Sequence, residues 1–179
     1  MREVGPVGSE VIAKRYLWNG ERARPILRGE RANARGTDKR RALGRGKRVR
    51  TLHLLRHGKS SWKDGALDDH DRPLSKRGRR AAAVLADHLA RSGLAPDLVL
   101  CSSALRARQT FDLIARALKP PRVIVERALY EAGPRRLLRY LRELPESAQC
   151  VLLVGHNPAL HELALTLADT PSRSRLASA

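Results

Sequence analysis

From Arg50 onward, short apolar runs alternate with stretches whose apolar positions recur every three or four residues. RTLHLL (50–55) reads as a first strand. In the following SKRGRRAAAVLADHLARSGL, Ser75 is placed to cap a helix and Gly93 to end it, with Ala81, Val84, Leu85, His88 and Leu89 on one face. DLVLC (97–101) is the second strand, and the helix after it, from about Leu105 to Leu118, stops at Pro120 and Pro121. RVIVE (122–126) is the third strand. Pro134 suits a first helical turn and leads a helix with Leu137, Leu138, Leu141 and Leu144 on its buried side. QCVLLVG (149–155) makes the fourth strand, and Pro158 opens a last helix through Leu167. Strands and helices alternating in this way predict an α/β domain over 50–168, its mainly parallel sheet flanked by helices on both faces.

The two ends lack such periods. Residues 1–49 scatter Gly, Arg and Ala and read as a disordered extension in which only SEVIAKRYLW, capped by Ser9, suits a short helix. The closing ADTPSRSRLASA has no strand pattern, so 169–179 reads as a disordered tail.

Composition narrows this picture. A chain of 179 residues fits one ordinary domain, and 42% hydrophobic with only 3% aromatic residues implies a core of Leu, Ala and Val. The net charge is +18, and residues 1–50 hold 15 basic against 5 acidic side chains. A basic arm of this kind can grip nucleic acid through counterion release. Arginines outnumber lysines 29 to 7, however, as a GC-rich coding sequence yields without selection for binding, and translation starting near Val49 is a further reading of the head. No apolar stretch approaches the ~20 residues of a membrane span, so a cytoplasmic protein without a membrane partner is expected. Cys101 and Cys150 fall at opposite ends of their strands, roughly 15 Å apart if these are parallel, and are expected reduced and buried. No pair of ligands has zinc spacing, so neither metal nor cofactor is expected.

Parallel strands present their carboxyl ends on one rim, where ligands of open α/β sheets bind. The first strand delivers Arg56 and His57 there, the second Ser102, Arg106 and Arg108, and the fourth Gly155, His156 and Asn157. Arg106 and Arg108 point in different directions on a helix, so one of them is surface charge. Two histidines and at least two arginines converging on one place imply an anion among them. His53, His70, His88 and His161 read as ordinary strand, loop and helix residues.

LLRHGKSSW, SSALRARQT and LLVGHNP, in that order, resemble the histidine phosphatase superfamily, the branch that contains the phosphoglycerate mutases, and most closely its short phosphohistidine phosphatases of the SixA type. The resemblance runs from Arg50 to about Ala168 and includes the connecting segments DRPLSKRG and LYEAGPRRLLRYL. It implies a phosphoglycerate mutase-like fold and a phosphohistidine intermediate on His57. Arg56 and Arg106 would hold phosphoryl oxygens, His156 would donate to them, Asn157 would orient its loop, and Ser102 or Ser103 would add a weaker contact. Nearby arginines favour the neutral imidazole that attack requires. Lys59 is a rim charge that attracts anions.

About 50 residues separate Arg106 from His156, too few for the long acid-bearing insertion of the mutases. Glu131 is the one carboxylate expected on this rim and the candidate proton donor. Imidazole leaves without strong acid assistance, so phosphohistidine on a protein is the expected substrate. Small phosphoesters, or a silent domain with a nucleic-acid-binding arm, are the alternatives. Members of this type continue past the last helix into a further strand, so the chain reads as truncated at its C-terminus, with a sheet edge left uncovered.

Overall fold

Four strands and four helices of the computed structural model follow the pattern of the sequence closely; residues 13–18, 23–25 and 50–168 are described. The strands are β3 (Arg50–Arg56), β4 (Leu98–Ser102), β5 (Val123–Glu126) and β6 (Cys150–Gly155), with β1 (Ala13–Trp18) and β2 (Ala23–Pro25) preceding them. The helices are α1 (Lys76–Ser92), α2 (Leu105–Leu118), α3 (Pro134–Arg142) and α4 (Ala159–Ala168). The sheet order is β2-β1-β3-β6-β4-β5, with β3, β6, β4 and β5 parallel. The last strand in sequence is thus inserted between the first two of the parallel set, which places their three carboxyl ends side by side.

Alternate residues of each strand face opposite layers. Leu52, Leu54, Leu98, Leu100, Val151 and Leu153 pack under α3 and α4, whereas Leu55, Val99, Cys101, Leu152 and Val154 pack under α1 and α2. Asp97 holds the register at one end, its Oδ2 accepting from the amides of Gln149 and Cys150 at 2.9 and 2.8 Å. Arg50 donates to the carbonyls of Leu141 and Leu144 at 3.2 and 2.9 Å, satisfying the C-terminal end of α3.

Ser75 caps α1 as expected, its Oγ accepting from the Gly78 amide at 3.0 Å, and Gly93 ends the helix at φ 68°. The expected inner face of α1 needs correction: Val84 and His88 are exposed, and the buried stripe is Gly78, Ala82 and Leu89, with Leu85 and Ala86 half-buried. Small residues lead this stripe because Gly78 lies directly against the Lys59 backbone, where a Cβ would collide. Both cysteines are free; Cys101 is buried, its thiol pushed up to about 12 chiefly by burial, but Cys150, at the start of its strand, is only half-buried.

Within 1–49, the segment expected as a short helix contains a strand instead. β1 runs antiparallel to β3, from Ala13 beside Leu55 to Trp18 beside Arg50, and β2 pairs in turn with β1. A single helix of that length is marginal in water, whereas the outer edge of β3 offers a full row of backbone donors and acceptors. The remainder of the head, and the expected tail at 169–179, lie outside the described residues. No described helix is long and apolar enough to cross a membrane.

Candidate active site

The parallel register sets Arg56 beside Gly155, so the segments after β3 and β6 leave the sheet together. The His57 amide donates to the Gly155 carbonyl at 3.1 Å, fixing the first imidazole against the loop that carries the second. The two rings lie 4.8 Å apart, centroid to centroid, tilted by 57°. Nδ1 of His57 is 2.6 Å from the Gly58 carbonyl oxygen, which can only accept, so Nδ1 carries the proton and Nε2 keeps its lone pair. Behind this loop the Gly58 amide donates to Thr110 Oγ1 at 3.0 Å, and Thr110 donates to the Arg106 carbonyl at 2.7 Å, tying His57 to α2.

Arg106, in the first turn of α2, is buried and directs Nε to His57 Nε2 at 3.3 Å. Arg108, two residues on, is exposed, so Arg106 is the one that faces the site. His156 shares a hydrogen bond with Ser102 through Nε2 at 2.7 Å. Its Nδ1, like Nε of Arg56, is buried with no hydrogen-bond partner.

Burial is the largest influence on both imidazoles. It brings His57 down to about 4 against the opposing Gly58 contact, with Arg106 and Arg56 pushing the same way as burial; the arginines emphasised in the sequence reading are therefore the lesser cause. Burial likewise brings His156 to about 3, assisted by His57 and Arg106. Both rings are neutral at pH 7, so His57 Nε2 is a free base facing guanidinium groups, an arrangement suited to nucleophilic attack on an anionic centre.

The other expected residues sit further out. Asn157 is exposed, next to a cis Asn157–Pro158 peptide. Glu131 is exposed, and its Oε1 pairs with Arg127 Nε at 3.3 Å. Glu131, His156 and Asn157 border a cavity of about 280 Å³ floored by Leu137 and Leu153. Lys59 is exposed at the rim.

Four residues join the site that the sequence reading left aside. Asp69 takes both ends of the Arg106 fork, its carbonyl bonded to Nη1 and its Oδ2 to Nη2 at 2.7 Å. Tyr130 donates to Asp69 Oδ2 at 2.8 Å and lies edge-on to His156 and His70, at 5.4 and 5.0 Å. His70 does not remain an ordinary loop residue: Nε2 is 2.8 Å from Ser103 Oγ and Nδ1 is 2.8 Å from Asp71 Oδ1. Arg72, almost wholly buried, approaches Asp69 Oδ1 at 3.2 Å, donates to Ser60 at 2.7 Å and lies 3.3 Å beneath the centre of the Trp62 ring. Although partial burial works the other way, the hydrogen bonds from Tyr130 and Arg106 hold the Asp69 carboxyl below its usual range. No local signal singles out Asp69, His70 and Arg72, because DHDR is polar throughout and has no period of its own.

Comparison with known proteins places the chain in a family. The family model described as histidine phosphatase superfamily (branch 1) matches residues 52–135. An uncharacterised protein of Mycobacterium tuberculosis is 40% identical over 115 residues, 64% of this chain and 70% of that one. Among solved structures, one from Agrobacterium tumefaciens, provisionally named phosphohistidine phosphatase SixA, is 34% identical with a TM-score of 0.61, covering 64% of this chain and 74% of that one. A protein histidine phosphatase SixA complexed with tungstate is 28% identical with a TM-score of 0.59, covering 67% and 78%. The chain therefore belongs to the histidine phosphatase superfamily, with the phosphoglycerate mutase-like fold and a SixA-like sequence, and to a family of phosphatases that work through a histidine.

Proposed function

We propose that this protein removes phosphoryl groups from phosphohistidine on other proteins, with His57 as the nucleophile. The observation that carries this reading is a neutral His57 whose Nε2 meets Arg106 Nε at 3.3 Å and whose ring lies 4.8 Å from that of His156, a residue that, like Arg56, has a buried nitrogen with no hydrogen-bond partner. A tetrahedral dianion at Nε2 supplies acceptors for unpaired donors of this kind, since buried polar groups left unpaired are costly. The similar SixA structure that holds tungstate, a tetrahedral oxyanion, supports the same reading.

In the first step the His57 Nε2–P bond forms as the P–N bond to the substrate imidazole breaks, and that imidazole departs with a proton. Water then attacks the phosphorus, releasing inorganic phosphate and restoring His57. Arg56 and Arg106 hold equatorial oxygens and stabilise the charge that builds on them. His156 donates from Nδ1 while Ser102 steadies its Nε2, and Asn157 orients the loop between them and α4.

The leaving group decides the substrate. An alkoxide needs a placed acid, and Glu131 would serve only by leaving Arg127 and turning towards the cavity beside His156. Imidazole, with a conjugate acid near pH 6.5, leaves without that help. The test is labelled-phosphate trapping on the full chain. Acid-labile, base-stable label on wild type that disappears in His57→Ala, with faster turnover of a phosphohistidine peptide than of sugar phosphates, is expected. Turnover with no label on His57 would end the mechanism, and a preference for sugar phosphates would end the substrate assignment.

A further inference from the structure

We propose that Asp69 is the positioning residue of this site: it grips the far end of the Arg106 guanidinium and so aims the Nε edge at the point where phosphorus meets His57. This rests on the reading of His57 as nucleophile and adds a residue outside the segments LLRHGKSSW, SSALRARQT and LLVGHNP.

A guanidinium presents two edges that can bind bidentately, the Nη1/Nη2 fork and the side that includes Nε. In Arg106 the fork is fully engaged by one residue, through the Asp69 carbonyl on Nη1 and its Oδ2 on Nη2 at 2.7 Å. The side edge is left facing His57, Nε to Nε2 at 3.3 Å. A phosphoryl group on Nε2 must meet that edge, and it can take Nε–H together with the second hydrogen of the adjacent Nη while Asp69 keeps the fork. Attack itself frees the Nε–H, since it commits the Nε2 lone pair to phosphorus. Asp69 thus acts through Arg106, not on the reacting atoms.

Asp69 can do this because it is held from three sides. Tyr130 donates to Oδ2 at 2.8 Å, and Arg72 approaches Oδ1 at 3.2 Å from a seat made by Ser60 and the Trp62 ring. Its own turn is moored to the end of β4, where the neighbouring His70 meets Ser103 at 2.8 Å. A free arginine carries large rotamer entropy, and a group misplaced by an ångström or so costs on the order of 100-fold in rate. One carboxylate that removes this freedom before the substrate arrives therefore has a large effect.

A pair of double-mutant cycles on the full chain tests the proposal, with p-nitrophenyl phosphate for kcat/KM and inorganic tungstate for anion affinity by calorimetry. Asp69→Ala is expected to lower kcat/KM by about 10- to 100-fold and to weaken tungstate binding. In an Arg106→Ala background the same change should have no further effect on either quantity, whereas with Arg56→Ala the losses should multiply. Asp69→Asn, which keeps the backbone grip and one side-chain acceptor, should restore part of the loss. Tyr130→Phe, which removes only one hydroxyl, should cost roughly threefold in wild type and nothing in Asp69→Ala, and it covers the case in which Asp69→Ala folds poorly. Losses that multiply with Arg106→Ala as they do with Arg56→Ala, or an Asp69→Ala enzyme that binds tungstate as wild type does, overturn the proposal. Wild type that binds tungstate with the expected coupling yet never carries label on His57 leaves Asp69 in its role and refutes the nucleophile.

Discussion

Acidification from pH 7 to pH 5 should destabilise this protein by an amount that the two buried imidazoles set. Folding favours their neutral forms, His57 near 4 and His156 near 3, against 6.5 in the unfolded chain. Above pH 6.5 both states hold neutral rings and no penalty arises. Below it the unfolded chain takes up a proton at each ring and the folded one does not, so stability falls by about 1.4 kcal/mol per pH unit per histidine until the folded value is reached. At pH 5 this amounts to about 2 kcal/mol for each ring, a figure that depends only on both folded values lying below pH 5. The loss of about 4 kcal/mol is a large part of the 5–15 kcal/mol typical of a domain. Urea unfolding at the two pH values reads it directly, and His57→Asn/His156→Asn, which cannot titrate at these positions, corrects for every other group. A wild type that loses no more between pH 7 and pH 5 than the double variant does would refute the claim that both rings are buried neutral.

Two further outcomes follow from the packing. Gly78→Ala places a Cβ against the Lys59 carbonyl, a backbone atom that cannot swing aside, and should cost about 1–3 kcal/mol in a urea midpoint while lowering phosphatase turnover, because Lys59 closes the loop that carries His57. Deleting residues 1–48 removes β1 from the outer edge of β3; a melting temperature lower by several degrees and faster amide exchange along Arg50–Leu55 are expected, and an unchanged melting temperature would show that β1 contributes nothing to the sheet.

Much of the domain was legible along the chain because its signals are local. The apolar runs of β4 and β6 are buried on both faces and so carry almost no polar interruption, β3 buries Leu52, Leu54 and Leu55, Ser75 and Gly93 bracket α1, and Pro134 opens α3. His57, Arg106 and His156 were legible for a related reason: the two histidines follow directly on the ends of β3 and β6, Arg106 opens the helix that leaves β4, and parallel strands must bring those ends to one rim. The inner face of α1 is not legible in this way, because Leu85 and Leu89 fit the stripe through Val84 as well as the one through Ala82, and only the close approach of Lys59 to Gly78 selects the smaller stripe. The strand at Ala13–Trp18 was invisible because its partner is an edge more than thirty residues away.

What remained for the tertiary structure was the set of contacts between segments that have no period of their own. DHD reads as a polar loop, yet its Asp69 meets Arg106, Arg72 and Tyr130 and its His70 meets Ser103, residues that lie up to 61 positions away. Residue order alone determined which groups stand at the strand ends, since the alternation of apolar and helical segments dictates a parallel sheet. Which of those groups are neutral, which nitrogen is left without a partner and which carboxylate aims the arginine depend on burial and on distances between loops, and these exist only once the chain is folded.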